Sequence, residues 1–532
     1  PLGRTMEYTY NAAGFVEKII DPSGNFIYYG YNAQGRRTEE SIFGADNVQT
    51  HYRGTDWGNP ATNPDLAPGK PWKSLHRNTA DSANLETVYA YDDAGNLASV
   101  TDAEGKATTY HYDLFDRLYQ VVQPGNATTT YAYDRHGNLS SVTDAEGHVT
   151  AYDYDDLGRL VETDSSDTGT TLYSYDAAGN LRFKVQNGKS IEYQYDLLGR
   201  LTHILYSDPA QNVTMTYDTG SGANLLGRLA AVTDPSGTVA YSYDTDGRLE
   251  SETRTLNGIQ YVTQYDYDDA GNLRSMVYPT GQTIEYRPDP SDPARIGAVV
   301  LNGTQTLASN LAYKPFGPVS AMTLGNGLQT VRTYDKNYQL KTITAATVMN
   351  RTYTPDNVGN IEAITDNLDT TRSQSFGYDD LYRLTSATGV YGTIGYAYDR
   401  VGNRKTSTQG TQSDSYAYYP GTNRLQTITG THPELFQYDA DGNTVQRIPG
   451  AANPSPPMAA PAEFLYNSSG QRSQKQAGAA VIYHYDPAGQ LIAETTATGT
   501  LRRAYIWLLG QPLAMLDAAG AVYYFHNDHL GT

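Results

Sequence analysis

The chain of 532 residues contains no cysteine, only 3 tryptophans and 10 phenylalanines, and no long uninterrupted hydrophobic run. Without cysteine it can form neither disulfides nor thiolate metal sites, and thiol catalysis is excluded. The most hydrophobic stretch, residues 504–525, is interrupted by glycine, glutamine, proline and aspartate, so we expect strands there rather than a membrane helix. We recognise no secretory signal, and Pro1-Leu2-Gly3 resembles an expression remnant.

Basic residues are also scarce, since 38 lysines and arginines stand against 58 acidic residues and give a formal net charge of −20. Phosphate binding needs clusters of basic side chains, so the composition argues against nucleic acid as a partner. Many of the aspartates are in turn-like sequences, where they bond to local backbone, and we expect this to explain the acidity. The alternative is that the negative field helps to hold a basic cargo.

Tyrosine and glycine are abundant, with 47 and 50 residues. Tyrosine buries a large ring while keeping a polar hydroxyl at its tip. Glycine interrupts the chain every ten residues or so, and helix-forming residues are not gathered into amphipathic blocks. This composition predicts short strands joined by tight turns, and therefore an all-β protein.

The tyrosines belong to a repeated unit, Tyr-x-Tyr-Asp-x-x-Gly-Asn/Arg-Leu, which we call the YD unit. Its most regular copies recur every 20 or 21 residues. We predict that its second tyrosine, aspartate and glycine are structural. In the regular copies these residues are Tyr91, Asp92 and Gly95, Tyr112 and Asp113, Tyr133, Asp134 and Gly137, Tyr154, Asp155 and Gly158, Tyr175, Asp176 and Gly179, and Tyr195, Asp196 and Gly199.

Each YD unit predicts two short strands and two turns, with its tyrosines on one face of a strand. Aspartate begins each turn by bonding back to the chain, and glycine supplies the positive φ that ends it. Leu139 and Val142 are three residues apart, so a regular strand would place them on opposite faces. A type I turn followed by a glycine bulge would resolve this parity problem.

The units together predict one long antiparallel meander. Some 20 units give about 40 strands, or on the order of 190 Å of sheet at roughly 4.8 Å per strand. Open sheets of this size must coil, and a single closed turn would be roughly 60 Å across. Geometry alone leaves open whether the sheet winds tightly on itself or becomes a wall around a space.

Interruptions of the period divide the chain into segments. They are the first YD units (1–53), an irregular excursion or plug (54–88), the regular array (89–278), degenerate repeats (279–330), further repeats (331–448), a proline-rich loop (449–462) and the last repeats (463–532).

Candidate chemistry is sparse. His526, Asp528 and His529 could hold a metal, but the same residues read as a turn after a strand, and we favour the turn. Asp-x-Asp-Gly at 244–247 and 439–442 resembles part of a calcium loop without its remaining ligands. We find no nucleophile elbow, phosphate loop or zinc-protease motif. We therefore assign no catalytic residue, cofactor or metal, and predict a protein that is not an enzyme.

Rows of tyrosine could alternatively stack sugars, which keeps a carbohydrate-binding surface open. Against this, the tyrosine face is the one that strand alternation predicts to be buried. We therefore favour packing over binding.

The YD unit resembles the YD repeats of the RHS family over most of the chain, from about Tyr8 onward. Residues 313–328 and 505–517 strengthen the match. Residues 523–532, with His526, Asp528, His529 and Gly531, resemble the opening of the RHS core segment. Relatives include the B and C components of insecticidal toxin complexes, polymorphic RHS toxins and, more remotely, the teneurins.

This resemblance implies a spiral, shell-like β-solenoid whose wall encloses a C-terminal toxin domain, in a bacterial protein that is secreted or lies at the cell surface. The implied partners are the toxin domain or the remaining RHS core, and exposed strand edges suggest self-association. The Asp-Pro-Gly-Leu stretch expected for self-cleavage does not occur before Thr532, so cleavage is not carried over. The alternatives are an adhesion or carbohydrate-binding module and a hydrolase within 54–88.

Overall fold

The computed structural model describes residues 5–57, 70–77, 84–439, 442–450 and 463–530. Almost all of their regular structure is β-strand, which confirms the all-β prediction. The exceptions are three single-turn 3-10 helices, at Pro124–Asn126, Pro209–Gln211 and Thr370–Arg372. In these described ranges, no helix has the length and apolar character to cross a membrane.

Forty strands form the larger sheet. The first twenty are β1 (Glu7–Tyr10), β2 (Val16–Ile20), β3 (Phe26–Tyr31), β4 (Arg37–Phe43), β5 (Gln49–Asp56), β6 (Lys73–Arg77), β7 (Asn84–Tyr91), β8 (Leu97–Thr101), β9 (Ala107–Tyr112), β10 (Leu118–Gln123), β11 (Ala127–Tyr133), β12 (Leu139–Thr143), β13 (Val149–Tyr154), β14 (Leu160–Ser165), β15 (Gly169–Tyr175), β16 (Leu181–Gln186), β17 (Lys189–Tyr195), β18 (Leu201–Tyr206), β19 (Val213–Tyr217) and β20 (Leu229–Asp234). The second twenty are β21 (Gly237–Tyr243), β22 (Leu249–Leu256), β23 (Ile259–Tyr267), β24 (Leu273–Val277), β25 (Thr283–Pro288), β26 (Ile296–Leu301), β27 (Gln305–Tyr313), β28 (Val319–Leu324), β29 (Gln329–Tyr334), β30 (Leu340–Ala345), β31 (Met349–Pro355), β32 (Ile361–Asp366), β33 (Gln374–Tyr378), β34 (Leu384–Gly389), β35 (Gly392–Tyr398), β36 (Arg404–Gln409), β37 (Gln412–Tyr418), β38 (Leu425–Gly430), β39 (Glu434–Tyr438) and β40 (Thr444–Pro449).

A smaller sheet follows residues 451–462. Its seven strands are β41 (Glu463–Tyr466), β42 (Arg472–Ala477), β43 (Ala479–Tyr485), β44 (Leu491–Thr496), β45 (Leu501–Leu508), β46 (Gln511–Asp517) and β47 (Val522–Tyr524). The predicted strands within residues 504–525 are therefore confirmed, as parts of β45, β46 and β47.

In both sheets each strand pairs antiparallel with the next strand along the chain, so each sheet is a meander, as predicted. Short turns favour this order, because a short connection places two consecutive strands side by side in the sheet. Among the described residues β1 and β40 do not pair with each other, so the larger sheet is not a closed barrel.

The larger sheet instead coils, so that turns late in the sheet contact turns early in the sheet. Turns in residues 16–206, which we call the first pass, contact turns in residues 289–442, the second pass. The bonded residues are 253 to 288 positions apart in the chain. One turn of the coil therefore takes about 24 strands, and at roughly 4.8 Å per strand a circular path of that length is on the order of 40 Å across. The earlier estimate of roughly 60 Å was too wide, because it placed all 40 strands in one turn.

The first pass is a single layer. Up to Tyr206, the only buried hydrophobic side chains among the described residues are Ile42 and Ala127. Most strand residues there are half-buried, including those on the tyrosine face. Among the described residues no second layer covers either face of this part of the sheet, so its residues pack mainly against neighbours in the same sheet.

The smaller sheet covers the tyrosine face of the larger one around β22 to β28. In β23 the residues Tyr261, Thr263 and Tyr265 are buried, whereas the alternate residues are exposed. One hydrophobic cluster joins the two sheets, including Ile284 and Val299 from the larger sheet with Ile492, Ile506 and Leu513 from the smaller one. This two-layer region holds most of the protein's buried core.

The segment 54–88 is described only in part. Its residues 54–56, 73–77 and 84–88 belong to β5, β6 and β7, which continue the ladder of the larger sheet. The remainder of the expected excursion or plug falls largely on 58–69 and 78–83, which lie outside the described residues, as does most of the proline-rich loop 449–462.

Candidate functional site

The turn after each second tyrosine, which we call the YD turn, is held by its aspartate. In the turn Asp134–Gly137, the Gly137 N–H donates to the Asp134 carbonyl (3.1 Å) and the Asp134 N–H donates to the Asn138 carbonyl (2.9 Å). This is a type I turn with a glycine bulge, as predicted. The Asp134 Oδ1 accepts from the N–H groups of His136 and Asn138, at 2.8 and 2.9 Å.

The glycines of these turns have left-handed backbones. Gly95, Gly137, Gly158, Gly179 and Gly199 have φ between 73° and 91°. The unit of Tyr112 has Asp116 at this position, with φ 58°. The turn between units repeats the same geometry at Asp144 and Gly147, where the N–H of Gly147 donates to the carbonyl of Asp144.

Leu139 and Val142 reach the same face of the sheet because of a bulge within β12, and not because of the glycine bulge in the turn. Tyr131 pairs with Val142 and Tyr133 pairs with Leu139, so Ser140 is one extra residue in β12. This second bulge brings Leu139 and Val142 onto the face of the two tyrosines. The same shift recurs after most second tyrosines, including Tyr154 opposite Leu160.

In most units the second tyrosine links its hairpin to the one before. The hydroxyl of Tyr133 donates to the carbonyl of Leu118, the leucine that ends the previous unit, at 2.7 Å. The same bond joins Tyr112 to Leu97, Tyr175 to Leu160, Tyr195 to Leu181, Tyr217 to Leu201, Tyr243 to Leu229 and Tyr398 to Leu384. Tyr91 makes an equivalent bond to Pro71. The tyrosine ladder is therefore a row of bonds between successive hairpins.

The Asn/Arg position of the unit donates a hydrogen bond to the turn aspartate and so stabilises its ionised form. The Asn138 side-chain amide donates to Asp134 Oδ2 and lowers the pKa of that carboxyl. Where the residue is arginine, as at Arg159, Nε donates to Asp155 at 2.8 Å and the guanidinium lies 4.7 Å from the ring centroid of Tyr175 in the next unit. Arginine therefore adds a cation–π contact to the hairpin-to-hairpin link.

We expect Gly137→Val to destabilise the protein by at least about 1–2 kcal/mol, because a β-branched residue at positive φ is strained. Arg135→Ala, at an exposed position of the same turn, should change stability by less than about 0.5 kcal/mol. Thermal unfolding of the two variants measures the difference. Equal shifts would contradict the assigned turn geometry.

Tyr133→Phe removes only the hydroxyl that bonds to Leu118. We expect a loss of about 0.5–1.5 kcal/mol, the usual net value of one hydrogen bond. Urea unfolding monitored by circular dichroism is the measurement. Phe183→Leu, two units further along the chain, controls for a change in aromatic packing without a hydroxyl. An unchanged midpoint for Tyr133→Phe would contradict the linking role.

Contacts between the two passes join YD turns of the second pass to turns between units of the first. The Arg400 side chain donates to Glu146 at 3.0 Å and lowers the pKa of that carboxyl. The Asn423 N–H donates to Asp167 Oδ1 at 2.6 Å. The negative turns of the first pass are thus matched by donors of the second.

Two tyrosines in this contact occupy the glycine position of their turns. Tyr338 and Tyr382 have φ of 58° and 60°, which is unfavourable for a bulky side chain. The hydroxyl of Tyr382 donates to the Asp102 carboxylate, and that of Tyr338 lies 2.7 Å from the hydroxyl of Thr50. Both strained residues therefore link the two passes. The sequence analysis did not predict this contact, although tyrosine in place of the turn glycine is visible in the sequence.

The residues that resemble the opening of the RHS core segment form a turn after β47 and pack against the second pass. The ring of His529 lies 4.9 Å from that of Tyr353, and Asp528 Oδ1 accepts the Leu530 N–H at 2.9 Å. Gly531 lies outside the described residues. Over the described ranges, no three His, Asp or Glu side chains are grouped as a metal site would require.

A polar cavity of about 480 Å³ lies where the smaller sheet meets β20 to β23. Its lining includes Glu252, Arg254, Tyr261, His484 and Asp486. Burial lowers the pKa of His484 to about 3, which keeps its ring neutral, and raises the pKa of Glu252 to about 7, so that its carboxyl binds a proton far more readily than an ordinary glutamate does. The sequence analysis missed this group. The visible signal was Glu252, because three of the regular units carry valine at the equivalent position (Val100, Val121 and Val142), although two others carry Thr163 and Lys184.

Comparisons with known proteins place these features in a family. The Teneurin YD-shell family model matches residues 73–208 and 321–507, more than half of the chain, and the RHS Repeat model matches residues 224–260. No curated protein matches the sequence.

Solved structures share the fold at low sequence identity. The crystal structures of TcdB2-TccC3-TEV and of TcdB2-TccC3 without its hypervariable C-terminal region align with TM-scores of 0.61, at 15% and 16% identity. A Photorhabdus luminescens Tc holotoxin pore aligns with a TM-score of 0.60 at 16% identity. Each alignment covers 98% of this chain and 34% of the other, so the chain spans about a third of these structures. From the family match and the repeat geometry together, the chain belongs to the teneurin YD-shell family of RHS-type repeat proteins.

Proposed function

We propose that this chain is a non-enzymatic wall segment that helps to enclose a toxin or effector domain, in a bacterial protein that is secreted or lies at the cell surface. The observation that carries the proposal is the single-layer sheet of the first pass, which coils until its turns meet those of the second pass. Family membership supports a structural shell role, and the toxin complexes named above supply the class of cargo.

The proposal requires a hollow path, and the strand count supports one. About 24 strands per turn enclose a circle on the order of 40 Å across, whereas barrels of about 8 strands are just wide enough for side chains to fill. The repeated use of one structural unit also supports a wall, since its bonds are used within the sheet rather than at a single reactive site.

Single-particle electron microscopy or small-angle scattering tests the proposal. We expect a curved shell with a central region of low density. A solid rod, or a sheet packed on itself without a lumen, would contradict it. Co-expression with a toxin or effector domain of a related shell protein then tests enclosure, because an enclosed domain should resist proteases that digest it when it is expressed alone.

The YD turns at one edge of the first pass, which we call the rim, expose apolar side chains and so support contact with a further shell. The second residue after the turn aspartate is apolar in several YD turns of both passes. In the second pass Val358, Leu381 and Val401 are half-buried beside the turns of the first pass. In the first pass Phe115, Leu157 and Leu198 occupy the same position and are 76–79% exposed.

We propose that this rim, Phe115, Leu157 and Leu198, seats the turns of another YD-repeat coil, such as a second copy of this chain. Exposed apolar rows mark interaction surfaces, and the contact would extend the one already formed between passes. Sedimentation velocity over increasing concentration should show association that is lost when all three residues become aspartate. Leu172→Asp, on an exposed strand position, is the matched control. A chain that stays monomeric throughout would contradict the assignment.

A further inference from the structure

The cavity between the two sheets contains a buried cation that forms no direct ion pair with any described residue. Arg254, in β22, is 8% exposed, and its Nη1 donates to the carbonyl of Tyr483 at 3.1 Å. Its Nη2 is buried, and the described ranges offer it no hydrogen-bond acceptor. No carboxylate in the described part of the chain lies within 4.0 Å of its side-chain nitrogens, although Asp234 and Glu252 are near enough to attract it.

A buried guanidinium in this state is costly, because burial removes its hydration and the fold supplies only part of the replacement. One neighbouring acceptor, Asp234, is already engaged. It accepts from the N–H and hydroxyl of Ser236 and from the N–H of Ser468. An anion entering the cavity would supply the acceptor that Arg254 Nη2 lacks, and planar carboxylates suit a guanidinium especially well.

The rest of the cavity is suited to hydroxyl groups. Glu252 stands beside Arg254 on the tyrosine face of β22, opposite Tyr241. Asp486 and Thr263 line the same space from the two sheets. Burial raises the pKa values of both Glu252 and Asp486, so each can donate as well as accept when protonated.

The size of the cavity sets the class of ligand. A volume of about 480 Å³ falls within the range of roughly 300–1,000 Å³ that small-molecule sites occupy in proteins. Tyrosine rings and polar side chains share the lining, and Tyr261 forms one wall against the ring of His484, with 4.5 Å between ring centroids. A compact ligand with one carboxylate and several hydroxyls matches this combination.

We propose that this cavity binds a small sugar acid, whose carboxylate pairs with Arg254 and whose hydroxyls bond to Glu252 and Asp486. This site is separate from the wall function, since it lies where the smaller sheet covers the larger one and uses residues that depart from the repeat. Binding would also stabilise the contact between the sheets, because the ligand touches residues of both.

Isothermal titration calorimetry of the whole chain with D-glucuronate, D-glucose and D-glucosamine tests the proposal. We expect saturable one-to-one binding of glucuronate, binding of glucose at least about tenfold weaker for want of the charged pair, and weakest binding of the cationic glucosamine. Absence of saturable glucuronate binding, or tighter binding of glucosamine, would overturn the proposal without affecting the wall function.

Variants then identify the residue. Arg254→Gln should reduce the affinity for glucuronate to that for glucose, and Arg254→Lys should restore part of it. Arg182→Gln, an exposed arginine elsewhere on the sheet, is the control and should bind as the parent does. If Arg254→Gln fails to fold, the Lys variant and the three ligands on the parent protein still decide the outcome. Equal binding by the Lys variant and the parent for all three ligands would contradict the pairing.

The pH dependence gives an independent readout. Affinity for glucuronate should fall between pH 6 and pH 8, because ionisation of Glu252 places a negative charge beside the ligand. Rising affinity over this range would contradict the proposed ligand charge. The charged and titratable groups that face Glu252 are Asp234, Tyr241, Arg254, Tyr261, His484, Tyr485 and Asp486.

Discussion

Replacing Ile506 with alanine is expected to lower the free energy of unfolding by about 2–5 kcal/mol, the range for large-to-small changes in a well-packed core. Ile506 is 0% exposed and lies in the cluster shared by the two sheets. The loss combines the hydrophobic transfer term with the cavity left behind. Urea unfolding followed by tryptophan fluorescence is the measurement, because Trp507 is the next residue and packs against the same cluster.

Val262→Ala is the matched control for Ile506→Ala. Val262 is in β23 beneath the same interface, but its side chain is on the opposite face and 37% exposed. We expect a change below about 1 kcal/mol, because little buried contact is lost there. Equal losses for the two variants would contradict face-to-face packing of the smaller sheet on the tyrosine face.

Glu252→Gln is expected to stabilise the protein relative to the parent, increasingly as pH rises. In the folded state the pKa of Glu252 is raised to about 7, so folded protein binds more protons than unfolded protein above the ordinary glutamate pKa of about 4.3. The parent therefore loses stability between about pH 4.3 and pH 7. Glutamine carries no such titration, so the difference between variant and parent should grow by about 2–3 kcal/mol from pH 5 to pH 8.

Thermal melts of both proteins at pH 5, 6, 7 and 8 test this expectation. His484 titrates in the opposite direction, since its lowered pKa makes stability fall with falling pH, but it is present in both proteins and cancels in the difference. Glu250→Gln makes the same chemical change on the exposed face of β22 and should shift the difference by less than about 0.5 kcal/mol. A pH-independent gap for Glu252→Gln would contradict burial of its carboxyl.

The local structure was predictable because it depends on residues close together in the chain. Asp134 and Gly137 specify their turn by themselves, and the meander follows when each turn is short. The tyrosine hydroxyl bond was not predicted, although it spans only 15 residues from Tyr133 to Leu118. Its acceptor is a backbone carbonyl, which leaves no trace in the side-chain pattern.

The coil was less predictable, because its diameter depends on the small rotation between neighbouring strands summed over a whole turn. A modest error in the assumed rotation per strand changes the predicted number of strands per turn. The residues predicted to contact each other then shift by several YD units. In the sequence, the contact is marked only by Tyr338 and Tyr382, which replace the glycine of their turns. Glu252 likewise stands out only against the valines that three of the regular units carry at its position, and the burial of Glu252 and Arg254 requires the smaller sheet.

The single layer of the first pass has a mechanical consequence. Each hairpin there is bonded chiefly to its two neighbours, so pulling on one end should detach hairpins one at a time, as in other quasi-one-dimensional repeat proteins. The region covered by the smaller sheet should resist, because its hairpins cannot leave without opening a shared core. Under an applied force the single-layer region should therefore unfold before the two-layer region, which gives the wall a built-in direction of opening.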